Sequence, residues 1–382
     1  MKRIYFDYAS TAPVDPEVIK AMEPYFFENF GNPSSPHNFG REAKKALETS
    51  RETLAGFLGA QPEEIVFTSG GSESNNHAIC GIARSLKDRG DHLILSAIEH
   101  HSVLEPALYL QKEGFKVTCV PVDSKGVVNP ADIKKAVTDK TILIALIHAS
   151  NEIGTIQDVA AVGKIARQAG IYFHVDALQT VGHLPVHVNE MGCHTLSLAA
   201  HKFYGPKGAG ALYIRQGTRM MNYLLGGDQE RGRRASTQNV AGAVGLAKAV
   251  ELCRRRMEEE NQTQISLRNK LLTEVPRRID HCFLNGHPTQ RLPNNAHFSF
   301  AALSSESLLM SLDMIGISSS MGSACTAGSL DPSHVLKAIG LSDELALGAL
   351  RISIGRWTTG EEIDYFLDQL PEIVRRLRAA NI

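Results

Sequence analysis

A chain of 382 residues, 43% apolar and 21% charged, has the length for a large core and two domains. Forty Lys+Arg against 41 Asp+Glu leave a net charge of −1, which excludes a surface dominated by attraction to nucleic acid or an anionic membrane. The opening Met1-Lys2-Arg3-Ile4-Tyr5-Phe6-Asp7 meets an acid within its first strand-like run, so no signal peptide is expected; no apolar run approaches the length of a membrane span.

In chain order, residues 1–12 read as an extended arm. Asp15-Pro16-Glu17 opens a helix with an acidic first turn. Gly31 to Pro36 is a loop, and Ala46, Leu47, Leu54, Phe57 and Leu58 recur at helical spacing in a helix from Arg41 to Leu58. Glu64–Thr68 reads as a strand. Ser69-Gly70-Gly71-Ser72-Glu73-Ser74 follows and leads into a helix through Leu86. Such a turn gathers unpaired N–H groups and a helix dipole where a phosphate can sit, with the Ser72 hydroxyl adding a contact. The same residues also suit an ordinary serine-capped helix.

Strands are then expected at His92–Ser96, Lys116–Val122, Ile142–Ala149, Ile171–Val175 and Thr195–Ala200, with a helix at Asp158–Ala169. Alternating strands and helices predict an α/β fold, a mostly parallel sheet covered by helices on both faces. Binding groups then belong at the carboxyl ends of the strands. Gly71, Ser72, His100, Asn151, Asp176 and Lys202 all fall there. Lys202 ends the apolar run Ser197 to Ala200 and precedes a Gly/Pro turn and a strand at Ala211–Arg215. A lysine there is either a surface residue or a desolvated amine reactive toward carbonyl compounds.

Residues 217–238 are loop-like. Arg254-Arg255-Arg256 and Glu258-Glu259-Glu260 then form a charged patch that reads as a solvated helix face. A boundary near 255 divides a large domain, 13–255, from a smaller α+β domain, 256–382. Strands at Asn294–Phe300 and Leu350–Ile354 and helices at Glu306–Met314 and Glu361–Leu377 are expected in the second. Within it, 317–331 is nearly all small residues around Cys325, so a mobile loop with an accessible thiol is expected, or an incidental free cysteine. The six cysteines form no CxxC pair, which predicts a reducing compartment, the cytoplasm, without disulfides. His183, His187, Cys193 and His194 lack a further ligand at matching spacing, so no metal is expected.

An amine at Lys202, an acid at Asp176 and a phosphate cradle at Gly71 and Ser72 are what pyridoxal 5'-phosphate requires: a Schiff-base partner, a partner for the ring nitrogen and an anion site. His100 can stack on the ring and carry protons.

The runs Phe67-Thr68-Ser69-Gly70-Gly71-Ser72-Glu73-Ser74-Asn75-Asn76, Asn151-Glu152-Ile153-Gly154, His174-Val175-Asp176-Ala177, His201-Lys202 with Tyr204-Gly205-Pro206-Lys207-Gly208, and Gly322-Ser323-Ala324-Cys325-Thr326 carry a resemblance. Over essentially the whole chain the sequence resembles the pyridoxal-phosphate-dependent cysteine desulfurases of the NifS/IscS type, in the class V aminotransferase group. The resemblance implies a fold-type I homodimer that converts L-cysteine to L-alanine. It implies Lys202 as the Schiff-base lysine, Asp176 at the pyridine nitrogen, Gln179 at the phenolic oxygen and His100 on the ring. Gly71, Ser72 and His201 would hold the phosphate, and Thr237 would reach the phosphate in the other subunit. Asn151, also beside the cofactor, and Arg351 would hold the substrate carboxylate, while Cys325 would take the sulfur as a persulfide. An iron–sulfur scaffold is the kind of acceptor implied, and neither nucleic acid nor membrane is an expected partner.

The sequence leaves the family pattern at Ala199, where a serine or threonine is usual, and at Asp228, Ser236, His77 and Cys80. Two rival readings keep most of the motifs. One is another class V activity, on selenocysteine or a different amino acid, that does not need Cys325; the other is a weakly catalytic scaffold.

Overall fold

The computed structural model describes residues 3–322 and 332–380. Twelve strands are found among them: β1 Ile4–Tyr5, β2 Ile65–Thr68, β3 His92–Ser96, β4 Lys116–Val120, β5 Thr141–Ile147, β6 Tyr172–Asp176, β7 Thr195–Ala199, β8 Gly210–Ile214, β9 Cys282–Leu284, β10 Asn295–Phe300, β11 Ile317–Ser318 and β12 Ala349–Ser353. Seven form the central sheet in the order β2-β8-β7-β6-β5-β3-β4. β8 runs against both of its neighbours, and the other adjacent pairs are parallel. This is the mostly parallel, helix-flanked sheet expected of an α/β chain.

The inner strands are largely apolar on both faces because both faces are covered, whereas the edge strand β4 exposes Lys116 and Cys119. Ile94, Ile144, Phe173, Val175, Leu196 and Leu198 face a core shared with Leu47, Leu54, Leu58 and Leu246. The alternate residues Leu93, Leu95, Leu143 and Ala145 pack on the other side against Ile79, Ile82, Val103 and Leu110. Helices begin where the sequence offers caps. The Asp15 carboxylate accepts from the Glu17 N–H at the start of Pro16–Met22, and Asp158 accepts from the Ala161 N–H before Val159–Ala169.

Strand ends differ from expectation by one or two residues. The predicted Ile142–Ala149 stops at Ile147; beyond it the chain pairs with its own return, the Gln157 N–H donating to the His148 carbonyl at 2.8 Å and Ala149 bridging to Ile156. The predicted Thr195–Ala200 stops at Ala199. Ala200–Lys202 is instead a single tight turn, so Lys202 leaves from a turn and not from the strand.

A second, antiparallel sheet has the order β12-β10-β9 and packs on the helices Ser305–Asp313 and Gly360–Ala380. One helix of 39 residues, Val240–Arg278, runs past residue 255 without a break. Its residues up to Cys253 belong to the first core, and Leu271 and Val275 to the second. The amino-terminal arm joins the second core as well: Ile4 and Phe6 are buried there, and β1 pairs in parallel with β11.

Candidate active site

The carboxyl ends of the parallel strands meet on one edge of the sheet. Lys202 follows β7, Asp176 ends β6, Asn151 follows β5 and His100 follows β3. A cavity of about 130 Å³ has Lys202, His100, His101, Asn151, Arg351 and Glu99 in its wall, with Ala9 and Ser10 of the arm closing it.

Lys202 Nζ donates to the carbonyls of Ala9 at 2.7 Å and Ser10 at 2.9 Å. Gln179 Nε2 donates to the same Ala9 carbonyl at 2.9 Å. The arm therefore orients two groups that the sequence reading assigned to the cofactor. Asp176 is buried; its Oδ2 accepts from Asn75 Nδ2 at 2.8 Å and its Oδ1 from the Leu178 N–H at 3.0 Å. His100 caps the helix His101–Lys112, and its Nδ1 accepts from the Ser102 N–H at 3.1 Å. Burial pulls its pKa down, Asp176 pulls it up, and Lys202, His101 and His334 add to the lowering. Burial and the nearby Lys202 and Lys207 bring His201 down to about 4.

Gly71 and Ser72 open the helix Gly71–Ser85. A Cβ at 71 would lie 2.0 Å from Leu178 Cδ2, so any side chain there would have to displace that leucine. That contact brings the helix start against the loop that follows Asp176. Ser72 is exposed beside it.

Arg351 lies on β12 and is only 1% exposed. One terminal nitrogen donates to the carbonyls of Asn151 at 2.8 Å and Gly322 at 3.0 Å. The other donates to Asp7 Oδ1 at 2.7 Å and Ser10 Oγ at 2.8 Å. Its Nε has no partner among the described residues. Two further carboxyls line the cavity. Glu99 is fully buried; its Oε1 accepts from Ser96 Oγ and the Ile147 N–H, its Oε2 has no partner among the described residues, and burial pushes it up to about 8. Glu152 accepts from Ser333 Oγ at 2.6 Å and is raised by burial, against the pull of Arg351.

Thr237 lies elsewhere. It borders a separate cavity of about 190 Å³ with Arg234, Ser236 and Gly208, so within one chain it does not share the cavity of Lys202. The loop before it is pinned by a buried ion pair. Arg51 grips both Glu230 oxygens, at 2.7 and 2.9 Å, and Glu230 Oε2 also accepts from the Phe67 N–H at 2.9 Å. Cys325 lies outside the described residues. Among the described residues no group of three or more His, Cys, Asp or Glu side chains is arranged to hold a metal, and no helix is long and apolar enough to cross a membrane.

The sequence reading missed Asp7, Ser10, Asn75, Glu99 and Ser102. Asn75 had a signal: an Asn-Asn pair inside a helix is a poor helix former and asks for a reason. Asp7 and Ser10 had none, because their partner is 344 and 341 residues away.

The residues present fit pyridoxal phosphate. An amine, a buried carboxylate held as an acceptor and a helix start stripped of side chain converge on one edge of the sheet.

Comparison with known proteins agrees. Residues 4–366 match the family model described as aminotransferase class-V. A "Cysteine desulfurase IscS" of Dictyoglomus turgidum is 52% identical over 382 residues, 100% of this chain and 97% of that protein. The solved structure titled "NIFS-LIKE PROTEIN" superposes with a TM-score of 0.93 at 38% identity, covering 98% of this chain and 100% of the other. Another, "SspA in complex with cysteine", gives 0.83 at 35% identity over 93% of this chain and 100% of its own. The chain belongs to the class-V aminotransferase family, among its pyridoxal-phosphate-dependent cysteine desulfurases.

Proposed function

We propose that the chain takes sulfur from L-cysteine onto Cys325, leaving L-alanine, with Lys202, Asp176 and Arg351 as its central binding groups. The observation that carries this reading is the single cavity bounded by Lys202, His100, Asn151 and Arg351. Pyridoxal phosphate, when bound, supplies an electron sink that eases removal of a proton from the substrate α-carbon.

The protein's own groups do the rest. Asp176, fixed by Asn75 and Leu178, would accept from the ring nitrogen; Gln179 would serve the phenolic oxygen, and Gly71, Ser72 and His201 would hold the phosphate. Arg351 offers N–H donors to the substrate carboxylate, and Asn151 lies beside it. Lys202 is the group to hold a proton at the α-carbon, its Nζ already steered by two carbonyls. His100 is kept neutral by burial and can accept a proton next to it. The Cys325 thiolate attacks the substrate sulfur. The S–S bond forms as the bond from sulfur to Cβ breaks, and the proton lost by the Cys325 thiol ends on Cβ, so that cysteine and a thiol give alanine and a persulfide.

We assign the persulfide to a protein acceptor such as an iron–sulfur scaffold. We assign the enzyme to the cytoplasm, as a homodimer in which Thr237 serves the partner's phosphate. Exposed Phe26, Phe27 and Phe30, each more than 60% accessible, support a further protein contact near the amino terminus. The large domain is taken as 13–255 and the small one as 256–382.

The test is incubation of the full chain, loaded with pyridoxal phosphate, with L-cysteine, followed by intact-mass analysis and alanine assay. The parent gains sulfur and Cys325→Ala does not. Alanine formed at the full rate by Cys325→Ala would move the chain to another class V activity. Light scattering at several concentrations tests the dimer.

A further inference from the structure

The helix Gly71–Ser85 turns a polar side chain inward. Asn75 is completely buried, and both ends of its amide are engaged. Nδ2 donates to Asp176 Oδ2 at 2.8 Å and to Ser102 Oγ at 2.8 Å. Oδ1 is 3.0 Å from His174 Nε2. Burial brings His174 down to about 3, so it carries one ring proton at neutral pH. With that proton on Nε2, it donates to Asn75, and its Nδ1 accepts from the Thr195 hydroxyl at 2.9 Å. The amide therefore has one sense only. Ser102 Oγ, having accepted from Asn75, has its own proton to give to His100 Nδ1 at 2.7 Å. The Ser102 N–H points at the same nitrogen.

We propose that Asn75 is a positioning residue for this reaction. Its amide, oriented by His174, aims one N–H at Asp176 and the other at Ser102, so Asp176 stays an acceptor and the ring proton of His100 stays on Nε2. The proposal rests on the reading that Asp176 and His100 face the cofactor. One neutral side chain thus sets opposite demands: a charged carboxylate on one arm and an uncharged imidazole on the other. His100 also faces Asp176, Lys202, His101 and His334, and Asp176 lies near Glu99. These charges act on both residues whatever stands at 75. What Asn75 adds is the direction of the Ser102 hydroxyl.

Asn75→Asp keeps the size and reverses that direction. The Ser102 hydroxyl then donates to the new carboxylate, and His100 Nδ1 loses a donor. The experiment is histidine nitrogen NMR on the full chain carrying pyridoxal phosphate, with the His100 signal identified by its loss in His100→Gln. In the parent, Nδ1 is the unprotonated nitrogen. In Asn75→Asp, the His100 titration moves up by about one pH unit or more, a tenfold change in proton affinity. Ser102→Ala touches only the His100 arm and moves it in the same direction by less, since the donor to Nδ1 is lost and no acceptor takes its place; it serves if Asn75→Asp does not fold. A His100 titration unchanged in the variants that fold, or a parent proton on Nδ1, overturns the proposal. Cysteine turnover by the parent is measured separately. Its absence sinks the proposed function and leaves the histidine result readable.

Discussion

Glu99 gives a quantitative test of the environment beneath the site. Its carboxyl is fully buried at the ends of β3 and β5, and burial lifts it from an ordinary 4.5 to about 8, with Asp176 adding to the rise and the hydrogen bonds from Ser96 and Ile147 opposing it. A neutral carboxyl has one oxygen to accept and one O–H to give. Oε1 takes both donors, so the proton belongs on Oε2. Below pH 4.5 the folded and unfolded chains both carry this proton, and the group's contribution to stability is then at its greatest. As pH rises above 4.5 the unfolded chain ionises first, and stability falls until the folded group also ionises near 8. Each pH unit between these values costs about 1.4 kcal/mol, so at pH 7 the loss is roughly 3 kcal/mol. Glu99→Gln mimics the protonated acid in shape and cannot ionise. Urea unfolding of parent and variant at pH 5, 6, 7 and 8 should therefore give a difference that starts small and grows in favour of the variant, reaching about 3 kcal/mol at pH 7. A difference that is flat with pH, or that favours the parent more at pH 8 than at pH 5, refutes the reasoning.

Three more outcomes follow from buried partners. Asp7→Asn removes the charge facing Arg351, which is 1% exposed against 22% for Asp7; stability should fall by about 1–3 kcal/mol, and the KM for L-cysteine should drop because the substrate carboxylate no longer meets a like charge. An unchanged or raised KM contradicts that competition. Glu230→Ala leaves the buried Arg51 guanidinium with only Glu48 and the Ile65 carbonyl as partners and should cost roughly 1.5–3 kcal/mol in urea unfolding, whereas a loss below about 0.5 kcal/mol means the pair is not holding its loop. Ala199→Ser restores the hydroxyl usual in the family; one hydrogen bond to a charged acceptor is worth about 1.5–3 kcal/mol, so the pyridoxal phosphate dissociation constant should tighten at least tenfold. Equal constants by equilibrium dialysis reject the role given to Ala199.

The central sheet was legible because its inner parallel strands are short apolar runs between turn residues, as in Leu93-Ile94-Leu95 and Leu143-Ile144-Ala145. The functional edge was legible for the same reason: a parallel sheet sends the residues after its strands to one side, and Asp176, His100, Asn151 and Lys202 all stand there. Strand ends were less so. Where β5 stops depends on His148 and Ala149 pairing with residues 156–157 of the returning chain, a contact that local pattern does not encode. The sequence marks the arm as extended but carries no sign of its part in the site. What it gives Lys202 and Gln179 is the carbonyl of Ala9, and every residue type has a carbonyl. Glu99 stands next to His100 in the sequence, but only its burial among the strand ends reveals why its carboxyl is raised to about 8.

The pairing of the arm also bears on how the protein matures during synthesis. Residues 3–10 leave the ribosome more than 300 residues before their partners: Ile4 pairs with Ile317, Asp7 with Arg351, and the Ala9 N–H with Ser353 Oγ at 2.9 Å. Contacts so distant in sequence form late. Until β12 has emerged, the arm has no sheet to dock on and the Ala9 carbonyl is not held over Lys202. A chain that has not yet reached β12 lacks the contacts that hold the Ala9 carbonyl over Lys202, so the aiming of that amine depends on residues more than 140 positions further along.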